Sequence, residues 1–349
     1  MDHPIELAGI GNALVDVFAA VDEEVGPLLG LHPARSVHVD YERLSEILVA
    51  LPDPVAGSGG GAANVVKIAS LLGLRSAFVG RVGSDRSGNS DRFARLFEDD
   101  LREAGVLPLL ERGAEPTGAC AIIRMPGEAV AVAACPSAAL GLDAEHVSED
   151  LIRGVKVLAL DGFLLGRRKL VERVLTLADR YGTVVALDVG SASLAAEHAA
   201  FIAATARKYP LILFMNEAEA ESFVCALAAA EGGACEDQDE DGEPGDHLKA
   251  LRALTEEGPF PIVVVKRGAR GALVFAGGDR HDVPTRSAVP YDATGAGDAF
   301  AAGFLAAWIH GKSLADCAML GNRVAREVLA VPGTGLDGER IRKIGRLRW

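Results

Sequence analysis

Aromatic residues are scarce in this chain, only 5% of its 349 residues. Modules that bind single-stranded nucleic acid need aromatic faces on which bases stack, so that class starts from a poor position. Positive charge is also short: 35 lysines and arginines stand against 49 aspartates and glutamates, a formal net charge of −14. A phosphate backbone would be repelled on average, and nucleic acid is not an expected partner. Long apolar runs are missing too. The most apolar stretch, Ala299–Ile309, has 11 residues, too few to cross a bilayer. The opening Met1-Asp2-His3-Pro4 has no cationic segment leading into an apolar one, so no signal peptide is visible and no membrane role is expected. The five cysteines, at 120, 135, 225, 235 and 317, form no CxxC pair. This odd, scattered set fits reduced thiols in the cytoplasm, not a zinc site or a disulfide framework.

What is present is enough apolar material, 49% of residues, for one large core and a single domain over 1–349. Short runs rich in Val, Ile and Leu alternate with helix-period segments. The runs are Ile5–Ile10, Ser76–Gly80, Lys156–Leu160, Thr183–Asp188, Leu211–Phe214 and Pro261–Lys266; helices are expected over Asn64–Leu72, Leu170–Tyr181 and Leu248–Glu257. That alternation predicts an α/β fold, a mainly parallel sheet with helices on both faces. Its active site would lie along the strands' C-terminal edge. Residues 15–21, 36–39 and 117–134 instead read as a small antiparallel sheet, expected to act as a lid around the turn Met125-Pro126-Gly127. An edge of that sheet could pair with a second copy. Residues 229–247 are acidic and Gly-rich without apolar periodicity, and read as a solvated insertion. The basic tail after Gly335 reads as a solvated helix.

Two glycine motifs are decoys. His310-Gly311-Lys312-Ser313 ends like a P-loop, but the glycine required five residues earlier is Ala306, and Gly311 reads as a helix C-cap. Gly57-Ser58-Gly59-Gly60-Gly61-Ala62 can be forced into GxGxxA, but Leu51-Pro52-Asp53-Pro54 before it cannot be the buried strand of a dinucleotide site.

The strongest signal is Asp292-Ala293-Thr294-Gly295-Ala296-Gly297-Asp298. Phe300, Phe304 and Trp308 recur every four residues after it, so a buried helix starts near Ala296. Small residues at 295–297 let first-turn amides approach an anion, aided by the helix dipole. Phosphoryl transfer needs that charge stabilisation together with a carboxylate to orient and deprotonate the attacking hydroxyl. Asp298 stands where that base is needed. Taken alone, it would read as an acid compensating a helix N-terminus.

This loop resembles the C-terminal signature of the ribokinase-like sugar kinases, the phosphofructokinase-B family, which includes adenosine kinases. The family pattern D-T-x-G-A-G-D is met except that Ala293 stands where Thr is usual. The resemblance implies a ribokinase-like fold, an ATP donor with magnesium, and in-line transfer to a hydroxymethyl group, with Asp298 taking the acceptor proton.

On the acceptor side, Gly59-Gly60-Gly61-Ala62-Ala63-Asn64 and Gly83-Ser84-Asp85-Arg86-Ser87-Gly88 resemble the family's N-terminal signature. Gly60 and Gly61 let main chain press on a polar substrate, and the Asn64 amide can both donate to and accept from hydroxyls; Asn64 also reads as a helix cap. Asp85 reads as a turn residue. Asp16, just past the first strand, could accept from two sugar hydroxyls or sit in a surface turn. Gly11–Asp16 and Asp161–Leu165 are similar to the adenosine-kinase form of the family and tilt the expected acceptor toward a ribose-containing molecule.

On the nucleotide side, Asn216 and Glu219 match the family's N-x-x-E element, which implies Asn216 near the phosphates and Glu219 organising magnesium through water. The same pair also reads as a helix N-cap. Lys266, Gly268 and Gly271 resemble the family's T-x-G-x-x-G nucleotide loop, with Lys266 in place of Thr; exposed cations are the alternative for Lys266. Asn322 resembles the adenine-side asparagine. Asp292 and Gly333 resemble the positions that hold a monovalent cation such as K+. Two other readings stay open: a non-catalytic sugar or nucleoside sensor of this fold, and a sugar-phosphate kinase of the same family.

Overall fold

The computed structural model describes residues 4–22, 26, 29–32, 36–125, 130–233, 246–256, 261–286, 294–330 and 338–346. All six apolar runs become strands of one sheet: β1 (Leu7–Ile10), β5 (Ser76–Val82), β9 (Val157–Asp161), β10 (Val184–Asp188), β11 (Leu211–Asn216) and β12 (Ile262–Lys266). Seven strands are parallel, in the order β12-β11-β10-β9-β1-β5-β6, where β6 is Leu107–Arg112. An antiparallel pair, β13 (Ala272–Ala276) and β14 (Asp279–Val283), extends the β12 edge. Their period is two, so one strand feeds two cores. Val157 and Ala159 of β9 enter the core against the helices Gly61–Leu71 and Ala296–Ile309. Leu158 and Leu160 enter the opposite core, against the helix Arg168–Tyr181. Both faces are covered, as near-continuous apolar strands require.

A second sheet has the order β3-β8-β7-β2-β4, from β2 (Leu14–Ala20), β3 (Ser36–His38), β4 (Val55–Gly59), β7 (Thr117–Arg124) and β8 (Val130–Ser137). It corrects the expectation of an antiparallel sheet. β2 runs parallel to β7 and β3 parallel to β8, while β2–β4 and β7–β8 are antiparallel. Sequence-distant strands meet there, so hairpin logic does not fix their direction. β4 was not expected at all: it takes the first half of the forced GxGxxA segment, Gly57–Gly59, into an edge strand with Val55 exposed, and Gly61 and Ala62 begin the next helix. Residues 126–129 and 234–245, covering the lid turn and most of the acidic segment, lie outside the described residues.

The helix Ala296–Ile309 is apolar all round because it is buried all round. Phe304 meets Phe214 edge to face at 5.4 Å, and Gly303 lets the helix Leu314–Val328 approach its backbone closely. The basic tail forms the helix Gly338–Arg346, but it is docked: Ile341 and Ile344 are buried against the first core. Among the described residues no helix is long and apolar enough to cross a membrane. Cys120, Cys135 and Cys317 are free thiols. Cys225 departs from the expected set of reduced thiols, being disulfide-bonded.

Candidate active site

Five strands of the main sheet end on one edge, and each delivers a polar residue there: Asn12 just past β1, Asp161 on β9, Asp188 on β10, Asn216 on β11 and Lys266 on β12. The helix Ala296–Ile309 opens onto the same edge from Gly295, which adopts the left-handed conformation (φ 75°). Gly295, the N-cap, carries no side chain that could satisfy the first-turn amides.

Asp298 lies in that turn. Its Oδ2 accepts from Asn64 Nδ2 at 2.9 Å, so the two signatures, 234 residues apart, meet at one hydrogen bond. Gly61 passes so close that an added Cβ would stand 3.4 Å from Asp298 Oδ1. Burial pushes the Asp298 carboxyl up to about 7; Asp188 and Asp161 push the same way, and the Asn64 bond and Lys266 oppose. A carboxylate poised near neutrality can take a proton and release it again.

A cavity of about 210 Å³ opens beside it. Asp161, Asp188 and Asp298 supply its acidic wall, and Ala301, Leu305 and Phe214 its apolar floor. Phe163, half exposed, stands at the rim facing Gly190. No lysine or arginine lines it among the described residues. Burial raises the Asp161 carboxyl to about 6 against its bond from the Phe163 amide.

Asp16 enters from the second sheet. It is buried, and an added Cβ at Gly59 would overlap its carboxylate, so only glycine fits beneath it. Burial raises its carboxyl to about 7, against Lys67 and a bond from the Cys120 thiol. Asp85 closes a turn by accepting from the amides of Ser87 and Asn89.

Lys266 is not an exposed cation. Its Nζ bonds Asp188 Oδ2 at 2.6 Å and would lie 3.1 Å from a Cβ added at Gly297. Burial pulls its pKa down, but Asp188, Glu219 and Asp298 outweigh that and hold the ammonium charged. Asn216 and Glu219 form a reciprocal cap: Glu219 accepts from the Asn216 amide at 2.8 Å and from its side chain at 2.8 Å, and returns its own N–H to Asn216 Oδ1 at 2.9 Å. Gly268 and Gly271 make the β12–β13 turn, with Gly271 at φ 89° beneath the Val283 carbonyl. Asn322 is tied by Nδ2 to that same carbonyl at 3.2 Å. Asp292, Ala293 and Gly333 lie outside the described residues.

The model for the pfkB family of carbohydrate kinases matches residues 34–340. The chain belongs to that family. It is 25% identical over 342 residues to 5-dehydro-2-deoxygluconokinase of Halalkalibacterium halodurans, covering 94% of this chain and 90% of that one. It is also 25% identical over 346 residues to adenosine kinase 1 of Arabidopsis thaliana, covering 94% of each. The crystal structure of adenosine kinase from Sinorhizobium meliloti superposes with a TM-score of 0.81 at 24% identity, covering 99% of this chain and 100% of that one. This pfkB kinase is therefore an ATP-dependent kinase of a sugar or nucleoside.

The family implies ATP and magnesium. Among the described residues no group of three or more His, Cys, Asp or Glu could cage a metal. The kinase offers single buried carboxylates such as Glu219. That sparse set fits magnesium, which keeps most of its waters and rides on substrate phosphates.

Asp161, Asp188 and Lys67 were the residues missed as members of the site. Asp161 directly follows one predicted strand and Asp188 ends another, both on the predicted edge, which was the usable signal. Lys67 lies three residues after Asn64, one helical turn further on.

Proposed function

We propose that this kinase transfers the terminal phosphoryl group of ATP to a hydroxymethyl group of a neutral, ribose-containing acceptor of the adenosine type, with Asp298 as general base. The observation that carries it is Asp298 itself: a carboxyl whose pKa is raised to about 7 in the first turn of a buried helix, hydrogen-bonded to Asn64 and facing a cavity.

Asp298 accepts the proton of the acceptor hydroxyl as that oxygen bonds to phosphorus and the bond from phosphorus to the ADP oxygen breaks. The amides of Gly295, Ala296 and Gly297 stabilise charge on the moving group, where preorganised donors act most strongly. Lys266 adds a fixed positive charge beside Gly297. Magnesium, when bound, neutralises phosphate charge; Glu219 would hold it through water, with Asn216 beside it. Gly268, Gly271 and Asn322 shape the nucleotide side. Asp16 and Asn64 hold acceptor hydroxyls over Gly60 and Gly61, and closure of the second sheet excludes water.

The acidic wall of the cavity supports a neutral acceptor over a sugar acid or sugar phosphate. An anion placed against Asp161, Asp188 and Asp298 meets three carboxyl groups on the cavity wall, and the cation beside them, Lys266, is already engaged with Asp188. Phe163 at the rim offers a flat apolar face to a base. ADP release measured with adenosine, ribose, fructose and 2-keto-3-deoxygluconate tests the reading. Adenosine is expected to turn over fastest; preference for the sugar acid overturns the acceptor assignment, and no ADP release with any of them favours a non-catalytic binder.

A further inference from the structure

Lys67 is a buried charge that the transfer chemistry does not use. It sits on the helix Gly61–Leu71, one turn beyond Asn64, and is 6% exposed. Its Nζ donates to Ser58 Oγ at 2.6 Å and to the Ser58 carbonyl at 3.0 Å. Ser58 is fully buried on β4, and its amide donates to Asp100 Oδ2 at 2.7 Å from the helix Arg92–Glu103. On the next residue of β4, Gly59, the Asp16 carboxylate rests. Ammonium and carboxylate therefore flank the same two residues of one strand, at the base of the second sheet.

Burying a lysine is costly unless opposite charge repays it. Three carboxylates face this one: Asp100, Asp16 from β2, and Asp298 from the helix Ala296–Ile309. Asp100 is engaged with the Ser58 amide, and Asp298 with Asn64. Around Asp16 the other titratable group is the Cys120 thiol on β7, itself neutral because burial raises its pKa. Among the described residues, Lys67 is thus the cation that acts on Asp16.

We propose that Lys67 is a positioning residue of the acceptor site: anchored on Ser58, its ammonium favours the charged form of the Asp16 carboxylate, the form that accepts hydrogen bonds from the acceptor's hydroxyls. The proposal rests on the reading that Asp16 holds the acceptor. A neutral Asp16 would present one donor and fewer acceptor sites. Removing the charge therefore weakens acceptor binding at neutral pH, and alkaline pH restores it by ionising Asp16 without help.

The test compares Lys67→Gln, Lys67→Arg, Asp16→Asn and the Asp16→Asn/Lys67→Gln double variant, using whichever acceptor of the four-compound panel is turned over fastest. Lys67→Gln keeps a hydrogen-bonding head for Ser58 but no charge. Its acceptor KM is expected to rise about fivefold at pH 7, since displacing an ionisation centred at about 7 upward by about one unit cuts the charged fraction from about a half to about a tenth, and to return toward wild type at pH 9. The ATP KM should move far less, and Lys67→Arg should stay near wild type. The double variant should bind acceptor no worse than Asp16→Asn alone. A rise in KM equally large at pH 9, or penalties that simply add, would assign Lys67 to structure and overturn the proposal. An unchanged acceptor KM in Asp16→Asn retracts Asp16 as the acceptor's holder, a separate failure. If Lys67→Gln alone does not fold, the double variant decides, since a coupled pair predicts recovered folding on removing both charges; its failure to recover also overturns the proposal.

Discussion

Lys266 and Asp188 are joined at 2.6 Å across the end of β11, with the ammonium held beside Gly297 in the first turn of the buried helix. The pair fixes a positive charge where phosphoryl charge is proposed to build up.

Removing that charge should weaken the transition state more than the ground state. Lys266→Met is expected to lower kcat about 10²- to 10³-fold, the usual loss for one charge-stabilising group, with a smaller rise in the ATP KM. Asp188→Asn should leave the ammonium in place but less firmly aimed, with an intermediate loss. Steady-state kinetics against ATP separates the two. A change confined to KM in Lys266→Met would place the lysine in binding alone.

Phe163 should distinguish acceptors. It stands half exposed at the cavity rim, where the base of a nucleoside acceptor is proposed to stack. Phe163→Ala is expected to raise the adenosine KM by about tenfold, the value of one stacking contact of 1–2 kcal/mol, while leaving ribose unchanged. Equal effects on both acceptors would remove Phe163 as a base platform.

Three buried carboxyls carry raised pKa values: Asp16 to about 7, Asp298 to about 7 and Asp161 to about 6. Between pH 4 and 7 the folded chain binds more protons at these groups than the unfolded chain, where carboxyls ionise near 4. Their contribution to stability therefore falls as pH rises through that window. Asp298→Asn removes one such group without changing its shape. It is expected to melt a few degrees above wild type at pH 8 and close to wild type at pH 5, as thermal unfolding at the two pH values would register. A lower melting temperature at pH 8 would mean that the ionised carboxylate is compensated better than its burial implies.

How much of this was legible in the sequence depended on whether the signal was local. Each buried parallel strand announced itself as a short Val/Ile/Leu run, and the helix from Ala296 as a small-residue loop before an apolar stretch. β13 and β14 were hidden because they follow directly on a glycine turn read only as a loop, and Asp279–Val283 carries mostly polar residues. β4 was hidden by its glycines, which weaken strand propensity but make room for Asp16. The second sheet's direction depended on pairing between β2 and β7, about a hundred residues apart, which periodicity does not encode. In the site, Asp298, Asn64 and Asp16 stood in recognisable patterns. Asp188 and Lys67 did not, since an acid at a strand end or a lysine on a helix looks like ordinary surface until its burial is known. The Asn216–Glu219 cap satisfies the structural reading of that motif, and its carboxylate still faces the charge of Lys266.

The account stands on proton transfer to residue 298, and the direct measurement is ADP release by Asp298→Asn alongside acceptor affinity by calorimetry. Turnover is expected to fall by about 10³-fold or more, in the range set by loss of a general base, while acceptor affinity stays within about threefold of wild type. Wild-type kcat/KM should rise with pH through about 7 as the carboxylate ionises. Near-wild-type turnover in the variant would contradict the account.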